Sequence, residues 1–366
     1  MQPTKNPGTA MKSLLALILL IWPLATSAAI PANTTDQPVR VVVDPRIELM
    51  AVVQLLNDYL LITEYDFIYK RDARAYFSRF QDHPAVKIFG EMSQVDFSFD
   101  AVPKAMLALT DPPELELRVP FSGYVVKRAG GENQLNRFVE ALRDFAQQSQ
   151  FQTFFEAHEG TFTEVIDNTR SVVEDAVAVL RGYSGMDLAG STVVLGMLLH
   201  HGGFAAMIEH EMGDVEAYAL IGPVGGQNGL PTFGSASHIE STTWHEFSHT
   251  FINPLTDQYA NSITKYAALY KPISEQMGRQ AYPDWQITVN EHIIRAITIR
   301  LAYIELGAAA GDHALEREKN IGFAYVEALA AELKEYEIAR DQYPTIADFY
   351  PQLIDVFREA SEEIGK

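Results

Sequence analysis

Apolar residues recur at helical spacing along most of this chain, and the places where that rhythm fails divide it. From Arg46 to about Ile62 the residues Ile47, Met50, Val53, Leu56, Tyr59 and Leu60 fall three or four apart, which predicts an amphipathic helix. The run before it, Val39-Arg40-Val41-Val42-Val43, is β-branched and closes at Asp44-Pro45, so it reads as a strand. Residues 64–160 are rich in aromatic and charged side chains at helical period, interrupted at His83-Pro84 and Asp111-Pro112-Pro113. Helices are predicted over Gln134–Glu156 and Thr163–Arg181. The texture then changes. Ser191 to Leu199 is strand-like, Val215 to Ile221 is a second strand closed by Gly222-Pro223, and a glycine-rich loop runs from Gly225 to Gly234. After Trp285 the pattern is helical again, with breaks at Gly307–Asp312 and at Tyr343-Pro344. The expected class is α+β, mostly helical with a small mixed sheet. The expected regions are a mainly helical part with an initial strand over 29–185 and a second part over 186–366, unless 39–366 is one continuous domain.

The first residues follow a different logic. Lys5 and Lys12 precede an apolar run from Leu14 to Leu20, Pro23 breaks it, and Ala25-Thr26-Ser27-Ala28-Ala29 follows. Basic, apolar, then small is the order of a secretory signal peptide, expected over residues 1–28, with Met11 as an alternative start. The run is short against the ~20 residues that span a bilayer. The mature protein is therefore expected outside the cytoplasm, periplasmic or extracellular, with no stable membrane insertion. The chain has no cysteine, which excludes disulfides and a cysteine-linked lipid anchor. Its net charge is −20, and near −22 once Lys5 and Lys12 are removed, which argues against nucleic acid and anionic membranes as partners.

Candidate chemistry sits in His245-Glu246-Phe247-Ser248-His249, an HExxH run in a helix-compatible segment. Two histidines four apart on a helix share one face, where a single zinc ion can take both imidazoles. Glu246 then lies beside the open coordination position and can act as general base on a metal-activated water. Ser241 or Thr242 is expected to cap this helix and Asn253-Pro254 to end it. Trp244, Phe247, Ser248 and Phe251 form its buried face; His245, His249 and Ile252 form the adjacent stripe.

A zinc site needs a third protein ligand. A metzincin would place a histidine where this chain has Leu255. Asp257 and Glu275 are possible ligands, but Glu291 is preferred. It lies in a helix from Trp285 to about Leu306 that is apolar nearly all round, so a carboxylate there needs a partner. Metal is one such partner, with Arg295 holding the carboxylate from behind; a plain Glu291–Arg295 ion pair is the competing explanation. His200-His201 would be either strand-end residues or part of a cleft or second metal site.

The chain resembles the bacterial DUF4932 family, taken as zincins of the gluzincin type. The resemblance is carried by Asp44-Pro45-Arg46-Ile47-Glu48-Leu49, by Gly202-Gly203-Phe204, by His245 to Leu255, and by Glu291-His292-Ile293-Ile294-Arg295-Ala296. It implies a zincin-like fold in which an edge strand flanks the HExxH helix and binds substrate backbone by strand addition. By resemblance that strand would be Val215–Ile221 or Val193–Leu199. It also implies an oxyanion donor, with Tyr282 preferred over Tyr218, His238 and His292. The expected function is an exported zinc-dependent metallohydrolase, a peptidase acting on a peptide or protein. The alternative is a non-catalytic zincin-like binding or scaffold protein in the cell envelope. An intact Glu246 speaks against that alternative, because a binding site has no chemical need of a base.

Overall fold

The computed structural model describes residues 38–188, 190–210 and 213–364; the leader read over residues 1–28 lies outside them. The chain opens with strand β1 (Arg40–Val42) and helix α1 (Pro45–Leu56). Asp44 caps that helix by accepting from the Arg46 amide at 2.9 Å, while Pro45 occupies the first turn, where no amide is needed. Then come α2 (Ile68–Phe77), α3 (Pro84–Val95), α4 (Ala101–Leu107), α5 (Gly123–Arg128), α6 (Glu132–Gln148), α7 (Phe151–Ala157) and the long α8 (Glu159–Ser184). Strands follow: β2 (Thr192–Leu195), β3 (Gly202–Glu209), β4 (Val215–Gly222), and the hairpin β5 (Gly225–Gln227) and β6 (Leu230–Thr232). The rest is helical: α9 (Ala236–Gln258), α10 (Ala260–Ile263), a 3-10 stretch (Thr264–Ile273), α11 (Ser274–Arg279), α12 (Trp285–Glu305), α13 (Ala308–Asn320), α14 (Val326–Ile338) and α15 (Ile346–Ile364). The class is α+β, as expected. Among the described residues no helix is long and apolar enough to cross a membrane.

The main sheet has the order β1-β2-β4-β3, with β1, β2 and β4 parallel and β3 antiparallel to β4. Every residue of β2 is buried, as a parallel strand covered on both faces requires. Helix α9 packs across β3 and β4 and lies along α8 and α12. One hydrophobic cluster runs through the molecule from Val39 to Phe357.

Several sequence expectations are corrected. The edge strand beside α9 is β3; β4 and β2, the two strands proposed for that place, are both interior. Gly202-Gly203-Phe204-Ala205-Ala206-Met207-Ile208-Glu209 has no apolar–polar alternation, because both its faces are largely covered, so period gave no sign of it. The helix expected over Gln134–Glu156 is two helices, parted where Gln150 takes a left-handed conformation (φ 54°). Helix α1 stops at Leu56, short of Ile62, and the glycine-rich loop holds the β5–β6 hairpin. Helix α9 starts earlier, capped by Ser235, and continues through Pro254 to Gln258 because Leu255 and Thr256 are buried. After Gly307 the chain is helical again at once.

Two contacts set where β3 begins. The segment around Ile62 pairs with the turn after β2: Thr63 N–H donates to Leu198 O (2.8 Å) and His200 N–H to Leu61 O (2.9 Å). Glu48 on α1 reaches the same turn, fully buried, accepting from the Met197 amide at 2.8 Å and from the Tyr69 hydroxyl at 2.9 Å. Burial pushes its carboxyl up to about 8, against the two hydrogen bonds that favour the charged form. A proton bound more tightly in the folded state contributes stability that is fully present below about pH 4.5 and lost as pH rises through about 8. Replacing Glu48→Gln should remove that slope. Urea unfolding at about pH 5 and about pH 9 should show wild type losing on the order of a few kcal/mol relative to the variant. Parallel profiles would show that Glu48 does not titrate across this range.

Candidate metal centre

Helix α9 is held in rotation by its large buried residues. Trp244 is 1 % exposed and donates its indole N–H to Ala176 O of α8 at 3.0 Å; Phe247 and Phe251 are also buried. This turns His245 and His249, one helical turn apart, toward α12, with ring centroids 5.1 Å apart. His249 Nδ1 lies 3.2 Å from Asn253 Oδ1, one turn further on, which leaves Nε2 as the free ring nitrogen.

Helix α12 starts at Asp284, whose carboxylate accepts from the Ile287 amide at 2.9 Å, and is buried from Ile287 to Ala302. Glu291 is fully buried and faces both imidazoles: its Oε2 is 3.7 Å from His245 Nε2 and its Oε1 is 3.5 Å from His249 Nε2. Arg295, one turn on, places Nη2 3.5 Å from Glu291 Oε2. Its closer contacts are Glu318 Oε2 on α13 (2.6 Å) and the Tyr282 hydroxyl (3.2 Å), with the guanidinium 4.1 Å above the Phe323 ring. Arg317 occupies the other oxygen of Glu318, at 2.7 and 2.9 Å.

Burial dominates the electrostatics. It drives His245 well below the usual imidazole range, helped by His249 and Arg295, and takes His249 down to about 3. Both rings are therefore neutral and keep a lone pair on Nε2, the state that binds metal. Burial raises Glu291 to about 7 against the pull of Arg295, and lifts Glu246 well above the usual carboxylate range, with Glu291 adding repulsion. Lys104 on α4, buried in an ion pair with Asp100, opposes that rise at Glu246.

Buried polar atoms are nearly always hydrogen-bonded. Here His245 Nε2, His249 Nε2 and both oxygens of Glu291 are buried without a hydrogen-bond partner. Two ligand atoms on one tetrahedral zinc would lie roughly 3.3–3.4 Å apart, given bonds of about 2.0–2.1 Å. The 3.5 and 3.7 Å separations are close to that, and among the described residues His245, His249 and Glu291 form a group able to hold a metal ion. The three ligand atoms all lie within 4.8 Å of one another, a donor set that fits a metal ion. A plain Glu291–Arg295 pair does not account for the site, because the guanidinium is nearer to Glu318 and Tyr282.

The other candidates fall elsewhere. Asp257, raised to about 6 by burial, accepts from Gln286 at 2.5 Å, and Glu275 is exposed and paired with Arg279; neither joins the group. Tyr282 is fully buried behind Glu291 and bonded to Arg295, so it holds the ligand shell and does not line the cleft. His292 is buried against Phe323 with Nδ1 at Thr288 O, and the Tyr218 hydroxyl bonds Glu216. Of the four oxyanion candidates, His238 lines the cavity that opens on the site, and its Nε2 is buried without a partner. His200 is buried and lowered to about 4, whereas His201 lies on the cavity wall.

Residues to which the sequence assigned no part in the chemistry complete the arrangement. A Cβ on Gly203 would stand 2.5 Å from Glu246 Oε1 and 2.8 Å from its Cγ and Cδ, so the carboxyl lies flush against β3 only because this position is glycine. Asn253 was read as a helix terminator; its i,i+4 spacing from His249 carries the signal once α9 runs through Pro254. Glu318 has no such signal, because α13 is otherwise mostly polar and solvated.

Zinc should stabilise the wild-type chain, by about 2.7 kcal/mol at a hundredfold excess over Kd, and should do so far less for Glu291→Ala. Thermal melts with and without the ion, alongside elemental analysis, measure this; equal shifts in both proteins would remove Glu291 from the ligand set.

No curated protein and no solved structure matches the chain. A family model, described as a domain of unknown function (DUF4932), matches residues 39–356. That span takes in β1, the whole main sheet and both helices that carry the metal group, and the chain belongs to the DUF4932 family.

Proposed function

We propose that this chain is an exported, zincin-like, zinc-dependent hydrolase that cleaves peptide bonds. One observation carries the reading: an unsatisfied pair of neutral imidazoles and a carboxylate, all buried, beside a second glutamate pressed against an edge strand. Two nitrogen donors and one carboxylate suit zinc, and three protein ligands are the number that catalytic zinc sites use. A zinc ion held there would supply Lewis acidity to the scissile carbonyl and to water.

The chain's own groups do the rest. Glu246, flush against β3 on the cavity wall beside His245, is placed to take the proton of the attacking water and return it to the leaving nitrogen. β3, the edge strand beside α9, is where an extended peptide would align, at its more open ends around Gly202 and Met207 because Gly203–Ala206 are buried. His238, neutral through burial, donates from Nε2 to the carbonyl oxygen as charge develops on it. The Glu318–Arg295–Tyr282 contacts hold Glu291 in place from behind. Export rests on the order of residues 1–28.

Glu246→Gln should keep its zinc and lose hydrolysis of a peptide library by about 10²–10⁴-fold. Full activity in that variant would remove Glu246 as the base; a zinc-loaded wild type with no turnover would favour the non-catalytic binding protein. Gly203→Ala should also retain zinc while kcat/KM falls by on the order of 10²-fold, because the added methyl displaces the base. Unchanged kinetics there would mean that the carboxyl works from another position.

A further inference from the structure

We infer that the cavity beside Glu246 selects a large apolar side chain of the substrate, a specificity that rests on the peptide-hydrolase reading above. The cavity has a volume of about 460 Å³, within the range of roughly 300–1,000 Å³ typical of ligand pockets. At one end it meets His245, Glu246 and Arg295; from there it runs between α12 and α13. Its apolar walls are Ile299 and Ala302 from α12, Leu306 just beyond that helix, and Ala310 and Ala314 from α13, whereas Ser237, Ser241, Thr242, His238 and His313 form a polar side. Three of the five apolar residues are alanines, and the volume is what larger side chains would otherwise fill. Thr298, also on the wall, donates its hydroxyl to Ile294 O at 3.0 Å and so offers no free donor.

Charge narrows the occupant. The carboxylates on the wall are Glu246 and Glu318. Glu318 is occupied on both oxygens by Arg295 and Arg317, and Glu246 is the base. A lysine or arginine side chain entering here would find no free counter-ion, and burying it unpaired is costly. An acidic side chain would lie against the Glu318 carboxylate and compete with it for Arg295 and Arg317. A phenylalanine- or leucine-sized group meets neither difficulty and gains from leaving water.

The test uses the zinc-loaded Glu246→Gln chain, so that binding is read without turnover. Calorimetry would compare alanine-rich peptides carrying one guest residue: Phe, Leu, Lys or Glu. Phe and Leu peptides should bind at least about tenfold more tightly than Lys or Glu peptides. The preference should collapse when Ala302→Leu or, separately, Ala310→Leu fills the cavity, with zinc content unchanged. Two variants on different helices guard against one failing to fold. Equal binding of all guests, no binding of any guest, or a preference that survives both substitutions would overturn the inference. Cleavage assays on wild type separate this from the activity itself. Turnover without apolar preference sinks the pocket and leaves the hydrolase; selective binding without turnover sinks the hydrolase and leaves the pocket.

Discussion

Everything around the site follows from the crossing of α9 and α12, two helices that carry ionisable groups into a dry interface. His245, Glu246 and His249 come from one; Glu291 and Arg295 come from the other, and all five are buried. An isolated charge in such a place costs several kcal/mol even after relaxation. Each group must therefore be neutralised by burial, matched by an opposite charge, or bound to an ion. The structure uses the first for the imidazoles and the second for Arg295, which Glu318 holds at 2.6 Å. The third would satisfy Nε2 of both histidines together with the oxygens of Glu291, a group able to hold a metal ion.

That interface explains why the surroundings are so fully packed. Trp244 locks α9 to α8, Phe323 stacks on Arg295, and Tyr282 closes the far side of the carboxylate. Ligands held on two helices with their rotamers fixed by packing keep their geometry better than ligands on loops. On the other flank the edge strand begins at a turn clamped by the backbone around Ile62 and by the buried Glu48. The N-terminal helices thus position β3, and β3 positions Glu246 through the missing side chain at Gly203. Residues far apart in the chain set one carboxylate.

Much was legible in advance. HExxH at helical period placed two histidines on one stripe with a glutamate beside them, and the uniformly apolar run around Glu291 marked a carboxylate with no solvent to face. Glu275 and Asp257 could be set aside only in three dimensions, where one is solvated beside Arg279 and the other bonds Gln286. Tyr282 is a different case: its nearness in sequence to the Glu291 helix suggested a catalytic group, and the fold puts its hydroxyl behind Glu291, accepting from Arg295 and away from the cavity.

Local chemistry in the sequence determined the helical texture, the α+β class, the pair of histidines with their glutamate, and the need of Glu291 for a partner. These depend on spacing and on the cost of burying charge, and both are properties of short segments. The tertiary structure alone decided which strand lies at the edge, that α9 continues through Pro254, that Glu318 and not Glu291 is the main partner of Arg295, and where the cavity opens. Each of these rests on contacts between residues far apart in the chain. Strand order and side-chain partnership are settled by what packs against what, and no period of two or 3.6 residues carries that information.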